Sequence, residues 1–149
     1  MIILIICSTA LGFQLSDNIR KKIKICEELL NVCDDILIDL NFKVTPVLTL
    51  FENCIKNKRY DTLYFLSVED IQSLSEIKSP LSKTENKELA YFLYSLGKTD
   101  LKSQINLINS FKEYIAQVKL KYIEEYKKNS KLYITFSLFG SIVFSLILL

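Results

Sequence analysis

The sequence predicts an all-α protein, a cytoplasmic helical bundle flanked by an N-terminal and a C-terminal transmembrane helix. Three observations carry that prediction. All 36 formal charges of the 149-residue chain lie between Asp17 and Lys131, so both ends are charge-free. Apolar residues in the middle recur at spacings of three and four, the period of a helix with one buried face. The breaks between those stripes carry helix-capping residues. The chain therefore divides into a transmembrane helix at 1–16 (a signal anchor), a cytoplasmic helical domain at 17–131 and a second transmembrane helix at 132–149.

The first segment, MIILIICSTALGFQLS, has 16 uncharged residues, about 24 Å of helix against a hydrocarbon layer of about 30 Å. Ser8-Thr9-Ala10 offers a weak cleavage site, but no Lys or Arg precedes the apolar run, whereas Arg20, Lys21, Lys22 and Lys24 follow it. That order fits an anchor better than a removed leader. Ile19, Ile23, Cys26, Leu30, Cys33, Leu37 and Leu40 then form an unbroken heptad seam, widened by a second column of Ile25, Leu29, Val32 and Ile36. A stripe this wide suits a bundle, with Glu27, Glu28, Asp34 and Asp35 expected on the exposed side. The helix is expected to run straight out of the first segment.

Thr45-Pro46 reads as a helix start: Thr can accept a bond from an orphan N–H, and Pro suits the first helical position because it lacks one. Val47, Leu50, Phe51, Cys54 and Ile55 supply the apolar face, and Asn57-Lys58-Arg59 ends the pattern. Ser67 with Asp70 makes an imperfect start before Ile71, Leu74 and Ile77. Ser82 with Glu85 fits the capping box and opens a helix through Leu89, Phe92, Leu93 and Leu96. Gly97 stands where a left-handed residue ends a helix, and Thr99 or Asp100 can cap the next. Leu101, Ile105, Ile108, Phe111, Ile115, Val118 and Tyr122 form its stripe. With no Pro or Gly before Gly140, this last helix is expected to continue from about Leu101 through Lys131 into the second apolar segment.

That segment, LYITFSLFGSIVFSLILL, covers about 27 Å as a helix and just spans a bilayer. Lys127, Lys128 and Lys131 flank it on the inner side in sequence, as the four basic residues flank the first. The tendency of basic flanks to stay in the cytoplasm puts the charged middle there.

The composition excludes several functions. A net charge of +2 with mixed signs gives no basic field for nucleic acid. Histidine is absent, which removes the usual general base and the commonest metal ligand. Cys7, Cys26, Cys33 and Cys54 form no CxxC pair, and Cys26 and Cys33, seven apart inside the apolar stripe, read as buried hydrophobes in a reducing compartment. Gly97-Lys98-Thr99 imitates the end of a phosphate-binding loop, but Phe92 holds the place of the first glycine and no strand precedes it. No catalytic, cofactor-binding or metal-binding residue is expected, and the chain reads as a non-enzyme.

The residues resemble the stage III sporulation protein AB family. The likeness runs through Leu11-Gly12-Phe13, Asp39-Leu40, Thr45-Pro46-Val47, Leu96-Gly97 with Thr99-Asp100 and Gln104, and the apolar C-terminal segment. Gly-x-Thr-Asp-x-x-x-Gln is its most specific part. The chain departs at Lys43, where the family often has Gly. The resemblance implies a membrane scaffold of a secretion-like channel complex of endospore formation, set in the mother-cell membrane around the forespore. Its implied partners are an ATPase like stage III sporulation protein AA and other membrane components of that complex. Thr45, Pro46, Gly97, Asp100 and Gln104 are the candidate partner-binding or motif residues. The alternative is a self-associating membrane protein without an ATPase partner, in which the seam at Ile19 to Leu40 pairs with a second copy and makes a homo-oligomer.

Overall fold

A computed structural model of the chain describes the backbone of residues 2–42, 46–56, 60–66 and 76–147, and the side chains of 17–40, 46–54, 60–66, 76–129 and 132. Among the described residues there are four helices and no strand: α1 (Ile2–Phe42), α2 (Val47–Lys56), α3 (Lys83–Ser95) and α4 (Leu101–Ile147). The all-α expectation holds, and both long helices continue without a break into the charge-free ends. No helix among the described residues is long and apolar enough to cross a membrane. The side chains of 1–16 and 133–149, on which the transmembrane expectation rests, lie outside the described residues.

The frame is an antiparallel pair of α1 and α4. Arg20 Nε donates to Tyr126 Oη at 3.0 Å, Lys119 meets Glu27 at 3.0 Å, and Lys112 pairs with Asp34. Each seven-residue step along α1 is thus matched by a seven-residue step back along α4. This is the register that keeps a heptad seam facing its partner. The seam and its second column are taken up inside the molecule: Ile25, Cys26, Leu29, Val32, Cys33 and Ile36 are almost fully buried, as are Ile108 and Ile115. Cys26 and Cys33 are not disulfide-bonded, and burial pushes both thiols up to about 12, so they stay protonated.

α3 lies beside α4 in the opposite direction. The capping box forms: Glu85 N donates to Ser82 Oγ at 3.3 Å and Ser82 N to Glu85 Oε2 at 2.9 Å. Further along, the Phe92 ring stacks on Phe111 with centroids 3.9 Å apart and planes within 3°. Leu89, Leu93 and Leu96 complete the apolar face.

Several expectations are corrected. Glu28, expected in solvent, is buried: its Oε2 accepts from Thr62 N at 2.8 Å and Thr62 Oγ1 at 2.5 Å. Asp35 is half-buried and accepts from Tyr60 Oη at 2.6 Å. Both stand at the edge of the stripe beside the second column, where residues 60–66 cover them and insert Leu63 and Leu66 into the core. Leu101, expected to begin the last stripe, is 56 % exposed, and Gln104 is buried instead. The helix after Thr45 starts at Val47 with the Pro46 carbonyl accepting from Leu50 N at 3.2 Å, so Pro46 occupies the capping place and not the first helical position. Ile77 is buried, but in the irregular stretch before α3 and not on a helix. Thr45, the Asn57-Lys58-Arg59 break and the Ser67–Asp70 start with Ile71 and Leu74 lie outside the described residues.

Candidate functional site, the corner between α3 and α4

The corner is built from the last turn of α3 and the first turn of α4. α3 ends because Gly97 takes a φ of +75°, a conformation that only glycine adopts without cost. The last helical bond is shared, Leu96 N reaching both Phe92 O and Leu93 O at 3.2 Å. Gly97 N has no helix carbonyl left to meet, and it donates instead to Gln104 Oε1 at 3.0 Å.

Gln104 closes the corner with its other end. Its Nε2 donates to Thr99 Oγ1 at 2.7 Å and to Ser95 O at 3.3 Å. One side chain, 2 % exposed, therefore satisfies three groups of the turn. This explains the seven-residue spacing between Gly97 and Gln104: two turns into α4, the amide is carried back beneath the glycine.

Asp100 caps α4. Its Oδ2 accepts from Ser103 N at 3.3 Å while its carbonyl accepts from Gln104 N at 2.9 Å. The bonds from Ser103 hold its carboxyl below the usual range although it is fully exposed. Lys98 lies over the Tyr94 ring. Every polar element of the phosphate-loop imitation is thus engaged: Gly97 N and Thr99 Oγ1 on Gln104, Lys98 on Tyr94, and a carboxylate stands where an anion would meet the helix N-terminus. The arrangement suits a turn and repels a phosphate.

Beneath the corner sits α2. A Cβ added at Gly97 would come within 2.9 Å of Leu48 Cγ and 3.1 Å of Cδ1, so the first turn of α2 is pressed against the glycine backbone. Pro46, two residues before Leu48, is exposed. Four of the five sequence-predicted residues thus belong to one end of the bundle: Gly97, Asp100 and Gln104 share a hydrogen-bonded turn, and Pro46 starts the helix packed against it. Thr45 lies outside the described residues. Leu48 and Ser95 were not anticipated, since a half-buried Leu and a helix-end carbonyl carry no signal of their own.

A second polar cluster lies lower in the bundle. Glu85, 3 % exposed, accepts from Tyr122 Oη and faces Lys121 Nζ at 3.3 Å. Burial works to raise its carboxyl, but the bonds from Tyr122, Ser82 and Lys121 outweigh that and hold it below the usual range. The same contact, with burial, raises the Tyr122 hydroxyl. A shallow open hollow of about 360 Å³ between Asn31, Asp34, Asp35 and Tyr60 is acidic, but Asp34 is paired with Lys112 and Asp35 with Tyr60. Among the described residues no group of three His, Cys, Asp or Glu could hold a metal ion, and no buried side-chain polar atom lacks a partner.

Compared with known proteins, the whole chain, residues 1–149, matches the family model described as stage III sporulation protein AB. No curated protein and no solved structure matches it.

Proposed function

The chain belongs to the stage III sporulation protein AB family and so has a role in stage III of sporulation, and from that premise we propose that it is a membrane-anchored platform that docks a cytoplasmic ATPase at a secretion-like channel complex. The observation that carries this reading is the α1–α4 register. Taken four residues further toward the chain ends, it brings residue 16 level with residue 130, so the two charge-free arms begin side by side at one end of the body. Two uncharged helical arms, residues 2–16 and 132–147, starting at one height suit a pair of membrane spans. The basic residues next to both arms favour a body on the cytoplasmic side.

The Gly97–Gln104 corner stands at the other end. From residue 104 to residue 131 of α4 is about 40 Å of helix. A corner held that far from the bilayer can meet a soluble partner without either touching lipid. The partner implied by the family likeness is an ATPase like stage III sporulation protein AA. The corner residues act by fixing shape: Gln104 and Gly97 set the turn, and Lys98, Leu101 and Pro46 are what it presents.

The test is extraction and capture. The full chain should resist carbonate and high salt, require detergent, and retain the ATPase on purification. A Gln104→Ala variant that still folds should lose the ATPase while remaining in the membrane. Release by carbonate removes the anchoring; membrane retention with no ATPase captured by wild type removes the docking.

A further inference from the structure

We infer that the base of the helical pair, where the charge-free arms begin, is a rim that binds anionic phospholipid headgroups. The inference rests on the anchoring reading above. Residues 17–24 and 121–131 hold eight Lys or Arg against three Asp or Glu, a net of +5; the whole chain is +2, so everything else carries −3. The positive charge of this protein is therefore concentrated at one level. Lys121, Glu124, Lys127 and Lys128 on α4 fall beside residues 18–25 of α1 in the register described. The band is about 15 Å deep, under two Debye lengths at physiological ionic strength, so neighbouring charges within it act together on a surface just below.

The cations are placed for that surface. Arg20, Lys21 and Lys24 on α1 and Lys127 and Lys128 on α4 are exposed. Among the described residues, Lys21 and Lys24 make long i,i+4 contacts, 3.6 Å to Asp17 and 3.8 Å to Glu28. Arg20 is steadied through Nε by Tyr126, which leaves its terminal amino groups available, and Lys22 lies 5.0 Å from the Tyr122 ring centre. Tyr126, half-buried at this height with its hydroxyl engaged by Arg20, fits the headgroup zone, where amphipathic rings concentrate. Asp17, Glu124 and Glu125 share the band and leave its net charge at +5.

The full chain, reconstituted in phosphatidylcholine vesicles containing a minority of phosphatidylglycerol, tests this by photo-crosslinking to each lipid in turn. Wild type should label phosphatidylglycerol over phosphatidylcholine by about fivefold for each cation engaged, falling with added salt. The quadruple variant Arg20→Gln, Lys21→Gln, Lys127→Gln, Lys128→Gln should lose the preference and still float with the vesicles in carbonate. Lys102→Gln, Asn106→Glu, Asn109→Glu, Ser110→Glu, all at exposed positions on the corner end of α4, together change the net charge by the same −4 far from the rim and should keep it. Flotation of wild type without any lipid preference overturns the rim and leaves the anchoring intact; failure to float overturns both. Equal loss in the two quadruple variants reduces the effect to net charge and also overturns the rim.

Discussion

Replacing Gly97 with alanine should destabilise the body by about 2–5 kcal/mol, and the structure separates that cost into two parts. The first is conformational. At φ +75° a Cβ costs roughly 1–2 kcal/mol, because it crowds the following carbonyl. The second is steric. The new Cβ would sit 2.9 Å from Leu48 Cγ, a branch point that cannot swing aside as a side-chain tip can. Either Leu48 changes rotamer or α2 shifts, and overpacking of this kind costs about 1–3 kcal/mol.

The two parts can be told apart by a double-mutant cycle with Leu48→Ala, measured by denaturant unfolding followed by helical circular dichroism of the full chain in micelles. Leu48→Ala removes the atoms that Cβ would strike. In that background Gly97→Ala should cost only the conformational part, giving a coupling of about 1–3 kcal/mol. As a thermal readout, wild type to Gly97→Ala should be a loss on the order of 10 °C. If Gly97→Ala changes stability by less than about 0.5 kcal/mol, or if the cycle is additive, the packing of α2 under the corner is wrong.

Other outcomes follow from the same contacts. Gln104→Leu keeps the volume but removes the partners of Gly97 N and Ser95 O in a part-buried turn, so unfolding should become easier by about 1–3 kcal/mol, and amide exchange at Gly97 should accelerate. Phe92→Ala removes a 2 % exposed ring stacked on Phe111 and should cost about 3–5 kcal/mol in the same unfolding assay. Glu85 is held below its ordinary value of 4.5, so its contribution is present above that value and is lost as pH falls through the lower folded value. Wild type should therefore lose its margin over Glu85→Gln as pH falls from 4.5 through the lowered folded value, and parallel melting curves over that descent would refute the assignment. Cys26 and Cys33, buried and raised to about 12, should resist alkylation at neutral pH until denaturant is added, as read by peptide mass spectrometry.

What the sequence made legible is what depends on period and on local chemistry. The α1 seam, the Ser82–Glu85 box and the Gly97 stop are each defined by residues within two turns of one another, and all three form. Glu28 shows where such reading stops. Its burial depends on Thr62, 34 residues away, donating two bonds into a face that periodicity alone assigns to solvent. Gln104 shows the same from the other side. A polar residue at a stripe position reads as a flaw in the pattern, yet its amide can meet Gly97 N, Ser95 O and Thr99 Oγ1 only if α3 and α4 fold back on each other. That dependence makes buried Gln104 a shape-setting residue of the corner rather than a contact residue. A conservative Gln104→Glu change keeps an acceptor for Gly97 N but loses both donors and sets a carboxylate against the Ser95 carbonyl. It should open the turn while leaving the exposed Pro46, Lys98 and Leu101 chemically unchanged. If partner capture survives that variant at wild-type strength in a protein whose turn has demonstrably opened, the corner's shape is irrelevant to docking and the binding face lies elsewhere on the body.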